Sequence, residues 1–351
     1  MDARAEREAL RALLAAIEEP ARAAALPSDA GVIALARRHR LTPLLSSLEG
    51  VALPPALSGV ARTDRIATTA RNLMFAEVAA EAARALLADG IDVIVLKGLA
   101  YEATLYGKNG CRPTSDVDLL VPGEKRRAAF ATLDRLGYEP RAAAPGFDEP
   151  DYHEVAWNRN GVELDLHLGL APTARCTIDY AAVWSARVPF DLPGVTVSRL
   201  ADDHAAAFHA LHMAIDHFDV PALSLVDLAR LLPDAVATAR ARDTARDWRV
   251  GRPFETALSL AATFLPIWAA TSGTTVPGQT GRSERIVASY GGLARLPRAQ
   301  QLRRKLEHFD HGADAVRYLV VQARRNVREL WEGRLKKRSA RARLALSPRG
   351  P

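Results

Sequence analysis

The stretch "IDVIVLKGLAYEATLYGKNGCRPTSDVDLLVPG", residues 91–123, decides how this chain is read. It holds two short apolar runs. "IDVIVLKG" is rich in β-branched residues and ends at a glycine; "DVDLLV" is stopped by Pro122-Gly123. Both read as buried strands. Between them "LAYEATLYG" reads as a short helix and "KNGCRPTS" as a polar loop. Asp116 and Asp118 stand one residue apart in the second run. Side chains at i and i+2 of a strand leave the same face, with Cα atoms roughly 6.5 Å apart. Two carboxylates carried together toward a core are costly unless something compensates them. Their spacing suits groups sharing a pair of divalent ions about 3.5–4 Å apart.

Downstream, "EKRRAAFATLDRLGY" is an amphipathic helix ended by Gly137, and residues 139–151 form a loop rich in Pro and Ala. "YHEVAWNRNGVELDLHLGL" then alternates on both sides of Asn160-Gly161, the pattern of a tight hairpin. Its second arm places Glu163, Asp165 and His167 on one face and Val162, Leu164 and Leu166 on the other. If that arm lies beside "DVDLLV", Asp165 completes a three-carboxylate cluster. Without a cation the three would repel one another. Mg²⁺ or Mn²⁺ suits such hard oxygen ligands, with phosphate oxygens completing the shell. Lys97 and Arg112 flank the acids as cations for a triphosphate, and Gly98 lets backbone N–H groups approach phosphate.

Around this centre the chain is helical. Residues 2–90 read as "AEREALRALLAAI", "DAGVIALARRHRLTPLLSSL" and "TARNLMFAEVAAEAARALLADG", with "LPPALSG" separating the second from the third. After a further strand, "VTVSRL", helices return in "ADDHAAAFHALHMAIDHF" and "LSLVDLARLLPDAVATARAR" and continue toward the end. The expected architecture is α+β: an N-terminal helical region (1–85), a core with a small mixed β-sheet (86–200), a C-terminal helical domain (201–323) and a basic tail (324–351).

Composition narrows the class. Of 351 residues, 48% are hydrophobic and 25% charged, which excludes disorder for the chain as a whole. Cys111 and Cys176 match no metal or redox spacing. With no signal peptide and no apolar run long enough to span a bilayer, a cytoplasmic protein is expected. The net charge of +6 is a property of the tail: residues 324–351 carry ten Lys/Arg against two Glu, so the preceding residues sum to −2. That body argues against a long polyanion groove. The tail reads as a solvated helix end.

At these residues a family resemblance becomes visible. "VLKGLAYEATLYGKNGCRPTSDVDLLV" followed by "VELDLH" resembles the nucleotidyltransferase superfamily with its polymerase-β-like fold. More narrowly it is similar to a bacterial branch of uncharacterised nucleotidyltransferases. "ALARRHRLTPLL" and "AFHALHMAIDHF…LSLVDLARLL" resemble that branch's helical flanks. The resemblance implies Asp116 and Asp118 as metal ligands and Asp165 as the third carboxylate, also sharing metal and orienting or deprotonating an attacking hydroxyl. It implies Gly98 as the phosphate-contacting glycine. The superfamily's Gly-Ser or Gly-Gly pair is here Lys97-Gly98, so the hydroxyl contact to phosphate falls to Ser115 or Thr114. The activity implied is transfer of a nucleoside monophosphate from an NTP such as ATP to an acceptor hydroxyl. A small molecule or polypeptide acceptor ranks ahead of RNA, and Arg112 is either a phosphate clamp or a surface arginine.

The histidines are candidate acceptor contacts. His167 follows Asp165 on its face; His153 is read as lying across the hairpin from the Asp165 region; His212 shares a helical stripe with His209, facing the cleft. Asp227, among apolar neighbours, is expected to bond to that stripe. The competing readings are a catalytically inactive nucleotide-binding module and a nucleic-acid binder acting through the tail.

Overall fold

The computed structural model describes residues 2–107, 110–141, 153–172 and 175–274, positions 286 and 290, and residues 309–321 with 323, 324 and 327. Apart from positions 324 and 327, the basic tail lies outside the described residues, as does most of the 139–151 loop.

Helices α1 (Ala3–Glu18), α2 (Ala30–Arg38), α3 (Thr42–Leu45) and α4 (Pro55–Ala88) precede the first strand. Asp29 starts α2 by accepting the Gly31 and Val32 N–H groups, so two of the helix's otherwise unpaired donors are met. "LPPALSG" closes the gap between α3 and α4, and α4 begins inside it at Pro55, where the missing proline N–H costs nothing at a first helical position. The second predicted helix is also interrupted at Arg40.

Seven strands form one sheet: β1 (Ile94–Val95), β2 (Val117–Leu120), β3 (Glu139–Pro140), β4 (Glu154–Arg159), β5 (Val162–His167), β6 (Val188–Leu192) and β7 (Val195–Arg199). Their spatial order is β3-β4-β5-β2-β1-β7-β6. The sheet is mixed, with β2 antiparallel to β1 and parallel to β5. Helices α5 (Lys97–Leu105), α6 (Arg126–Arg135) and α7 (Tyr180–Ser185) are set between strands. Two edge strands escape the sequence pattern, and both contain proline: Pro140 in β3 and Pro189 in β6. Proline cannot donate to a ladder, so it masks a strand in sequence yet is tolerated at an edge.

Alternation decides which side of the sheet is core. Val117, Leu119, Leu164 and Leu166 are fully buried on one face, where α4 contributes Phe75, Ala79, Ala82, Ala83 and Leu86. The opposite face carries the acids and meets α8 (Asp202–Ile215) and α9 (Leu223–Leu231) across the cleft; α10 (Ala235–Asp247) and α11 (Gly251–Phe264) pack on α8, and α12 (Pro266–Thr271) packs on α11. A single apolar cluster runs from Ala9 to Tyr290, joining helical flanks and sheet. Among the described residues no helix is long and apolar enough to cross a membrane.

Candidate active site

The hairpin forms as expected. Asn160 and Gly161 both adopt left-handed backbone, with φ of 54° and 81°, and pair Arg159 with Val162. Parallel pairing of β5 with β2 sets Asp165 directly beside Asp118, and Asp116 lies two residues earlier on the same side. All three line a cleft of about 280 Å³ with Lys97, Gly98, Arg112, Thr114, Ser115, His212 and others. That volume sits near the lower end for ligand sites. Glu163, which shares the face of Asp165, pairs outward with Arg141. Of the two acids on β5, only Asp165 lines the cleft.

Asp118 is the most enclosed of the acids, 4% exposed. Its Oδ1 lies 3.2 Å from Lys97 Nζ and accepts from His167 Nε2 at 2.9 Å. Burial pushes its pKa up, but Lys97 and His167 outweigh this and hold it well below the usual carboxylate range. Lys97 responds in kind: burial lowers it, and Asp118 together with Asp116 and Glu154 more than restores it, leaving it above the usual lysine value. Among the described residues neither of the other two acids has an ion-pair partner within 4 Å. Asp116 is raised by burial and by Asp118. Asp165 is pushed to about 7 by the same two causes. Three acids converge, and one lysine compensates one of them.

A divalent cation fits this donor chemistry, since hard carboxylate oxygens stand together with uncompensated charge. Among the described residues no group of three or more His, Cys, Asp and Glu side chains is gathered tightly enough to grip a cation unaided. Water or a bound anion would complete its shell.

The turn into α5 is built around two unusual positions. Lys97 has left-handed backbone, φ 33°, which aims its ammonium back at Asp118. Gly98 touches the acid-bearing loop so closely that a Cβ there would lie 2.7 Å from Thr114 Cγ2. That loop hangs on side chains that no sequence motif singles out. Glu102 accepts the N–H groups of Gly110 (2.6 Å) and Arg112 (2.9 Å). Asn72 on α4 donates to the Arg112 carbonyl (2.9 Å) and accepts from Thr114 N–H (3.3 Å). Ser115 Oγ is 3.2 Å from Asp116 Oδ1 and faces the cleft.

Arg112 is not a surface residue. Its Nε reaches both Asp227 oxygens at 3.1 Å, one Nη donates to Asp227 at 2.9 Å and the other to the Gly98 carbonyl at 3.3 Å. Burial works against its charge, but Asp227 outweighs burial and holds it above the usual arginine value. Asp227 therefore serves Arg112 and the Tyr106 hydroxyl (2.8 Å), not the histidine stripe. His209 instead meets the Ser224 carbonyl at 2.8 Å.

The histidines fall in three different places. His212 lines the cleft, with Nδ1 3.4 Å from Asp216 on the next turn; burial and then Lys97 lower its pKa well below the usual histidine value. His167 sits behind Asp118, 2% exposed, with Nδ1 3.7 Å from Glu154. His153 does not face Asp165: the register pairs Asp165 with Ala156 and His167 with Glu154. Glu154, not its neighbour His153, lines the cleft as a fourth carboxylate. Counting pairs outward from the Asn160-Gly161 turn finds it. Arg40, which carries no signal in the sequence, and Asp216, four residues beyond His212, also line the cleft from turns of the helical flanks.

Among solved structures, the antibiotic-resistance factor ANT(2'')-Ia is similar at 14% identity, covering 50% of this chain and 90% of that one with a TM-score of 0.36. An antigenic nucleotidyltransferase-like protein from Paracoccidioides brasiliensis is similar at 16% identity, covering 57% and 93%, with a TM-score of 0.37. No curated protein matches the chain. A family model does: from Ala34 in α2 to the start of α12, the acids, the loop that carries them and the helical roof all fall within residues 29–266, and over that span the chain belongs to the uncharacterised nucleotidyltransferase family.

Proposed function

We propose that the chain moves a nucleoside monophosphate from an NTP to an acceptor hydroxyl, with Asp116 and Asp118 holding Mg²⁺ and Asp165 activating or orienting the acceptor. The pairing of Asp165 with Asp118, with Asp116 two residues before it, carries this reading. Bound Mg²⁺ would neutralise the triphosphate and make the α-phosphorus more open to attack. The chain's own groups do the rest. Lys97 keeps Asp118 ionised, and His167 fixes its orientation from behind. Gly98 leaves room at the loop that carries Thr114 and Ser115, whose hydroxyl side chains line the phosphate end. Asp165 stands on the neighbouring strand, where it can take the proton of a hydroxyl whose oxygen displaces pyrophosphate. Glu154, His212 and Asp216 would form the acceptor wall, facing a small molecule or polypeptide.

The test is incubation with each of the four α-labelled NTPs, Mg²⁺ or Mn²⁺, and cell extract. Label should pass to an acceptor, and Asp116→Ala and Asp118→Ala should stop it. Asp165→Asn should keep NTP binding and lose transfer; full activity in that variant would remove Asp165 from its role. No transfer with any NTP and no metal-dependent NTP binding would favour a module without catalysis.

A further inference from the structure

The cleft needs a cation free to meet polyphosphate. Of the two flanking cations, Lys97 is engaged by Asp118 and Arg112 by Asp227. A third cation, an arginine, reaches the same cleft from the N-terminal helices. Arg40 lines it, is exposed, and has no ion-pair partner within 4 Å among the described residues. Its charge acts on Asp116, and Arg112, Asp116 and Asp227 act on it, which puts it beside the loop that carries the acids.

The backbone gives an independent argument. Arg40 has φ 58°. Its N–H bonds the Arg37 carbonyl at 2.9 Å, and Leu41 N–H bonds the Ala36 carbonyl at 2.9 Å. This double bond pattern is a helix stop whose central position favours glycine, because any Cβ is crowded in the left-handed region. The turn is also pinned in place. His39 Nδ1 accepts from Ala222 N–H at 3.0 Å, and the His39 carbonyl accepts from Leu223 N–H at 3.2 Å. An arginine thus occupies a glycine position, on a turn clamped to the mouth of the cleft. The molecule contains its own control. Arg249 ends α10 in the same motif, with φ 57°, its N–H bonding the Arg246 carbonyl and Val250 N–H the Ala245 carbonyl, but it does not line the cleft.

We infer that Arg40 binds the polyphosphate tail of the NTP, meeting its terminal oxygens with a fork of N–H donors. This rests on the nucleotidyl-transfer reading above. Because the backbone prefers glycine here, removing the side chain should separate binding from folding.

The experiment is calorimetric titration of the full chain with each NTP and with inorganic tripolyphosphate, in Mg²⁺, beside thermal melts. The variants are Arg40→Gly, Arg40→Asn (asparagine also tolerates the left-handed region) and Arg249→Gly. Arg40→Gly and Arg40→Asn should melt at or above the wild-type temperature yet lose at least about tenfold in affinity for both ligands, since a charge-assisted contact is worth that much or more. Arg249→Gly should bind as wild type. Unchanged affinity in Arg40→Gly overturns the assignment, as does a loss accompanied by lower melting in both Arg40 variants, or an equal loss in Arg249→Gly. Wild type binding neither NTP nor tripolyphosphate would sink the transfer reading itself; wild-type binding that survives Arg40→Gly sinks only Arg40.

Discussion

On the sheet side of the cleft, Asp118 is held by Lys97 and His167, residues on strands or turns that directly adjoin its own strand. On the helical side, Arg112 is held by Asp227, 115 residues further along the chain. Both are buried ion pairs, but they do different things. The sheet-side pair fixes one acid while two neighbouring acids keep uncompensated charge. The helical-side pair satisfies itself and ties the acid-bearing loop to α9. The sheet presents chemistry; the helical wall mostly uses its charge to hold the loop in place.

Five variants break or sharpen that contrast. Asp118→Asn removes the best-placed acid and should cut transfer by at least about 10³-fold in a label-transfer assay. Arg112→Leu leaves Asp227 buried beside Tyr106 with no cation and should cost about 3–5 kcal/mol of stability in denaturant melts. The double change Arg112→Leu/Asp227→Leu should regain most of it. Wild-type stability with weakened NTP binding in Arg112→Leu would instead make Arg112 the phosphate clamp. Asn72→Ala strips partners from the Thr114 N–H and the Arg112 carbonyl, and should cost about 1–3 kcal/mol by the same measurement. Arg141→Ala removes the partner of Glu163 at the open rim and should change stability by less than about 1 kcal/mol, with transfer unaffected. A large loss of transfer there would mean that Glu163, not Asp165, is the working acid of β5.

Much of the sheet side is legible in the amino-acid sequence. A D-x-D spacing, a strand that alternates acid and leucine, and an Asn-Gly turn are local features, and each maps directly onto backbone geometry. Glu154 is legible too, since Arg159 and Val162 flank the turn and fix every later pair, Glu154 with His167 among them. Placing His153 at the cleft misses by one residue, and in a strand one residue is enough to turn a side chain to the other face. Arg112 is legible as a charge near the acids but not as a buried one. Nothing near "CRPTS" announces Asp227, and nothing near "LVDLARLL" announces Arg112. Arg40 looks like one charge among several in "ALARRHRL", because its place at the cleft shows only where His39 meets Ala222, far along the chain.

The sequence alone determined that Asp116 shares a side with Asp118, and Asp165 with Glu163 and His167: strand side chains alternate with a period of two, a consequence of covalent geometry that holds wherever the strand sits; only the pairing of β5 with β2 joined the two sets. Tertiary structure alone decided which cations those acids meet and which are left for a ligand. Lys97 and Arg112 are taken up by Asp118 and Asp227, while Arg40 stays open, because long side chains choose partners by distances that only the packing of remote helices sets.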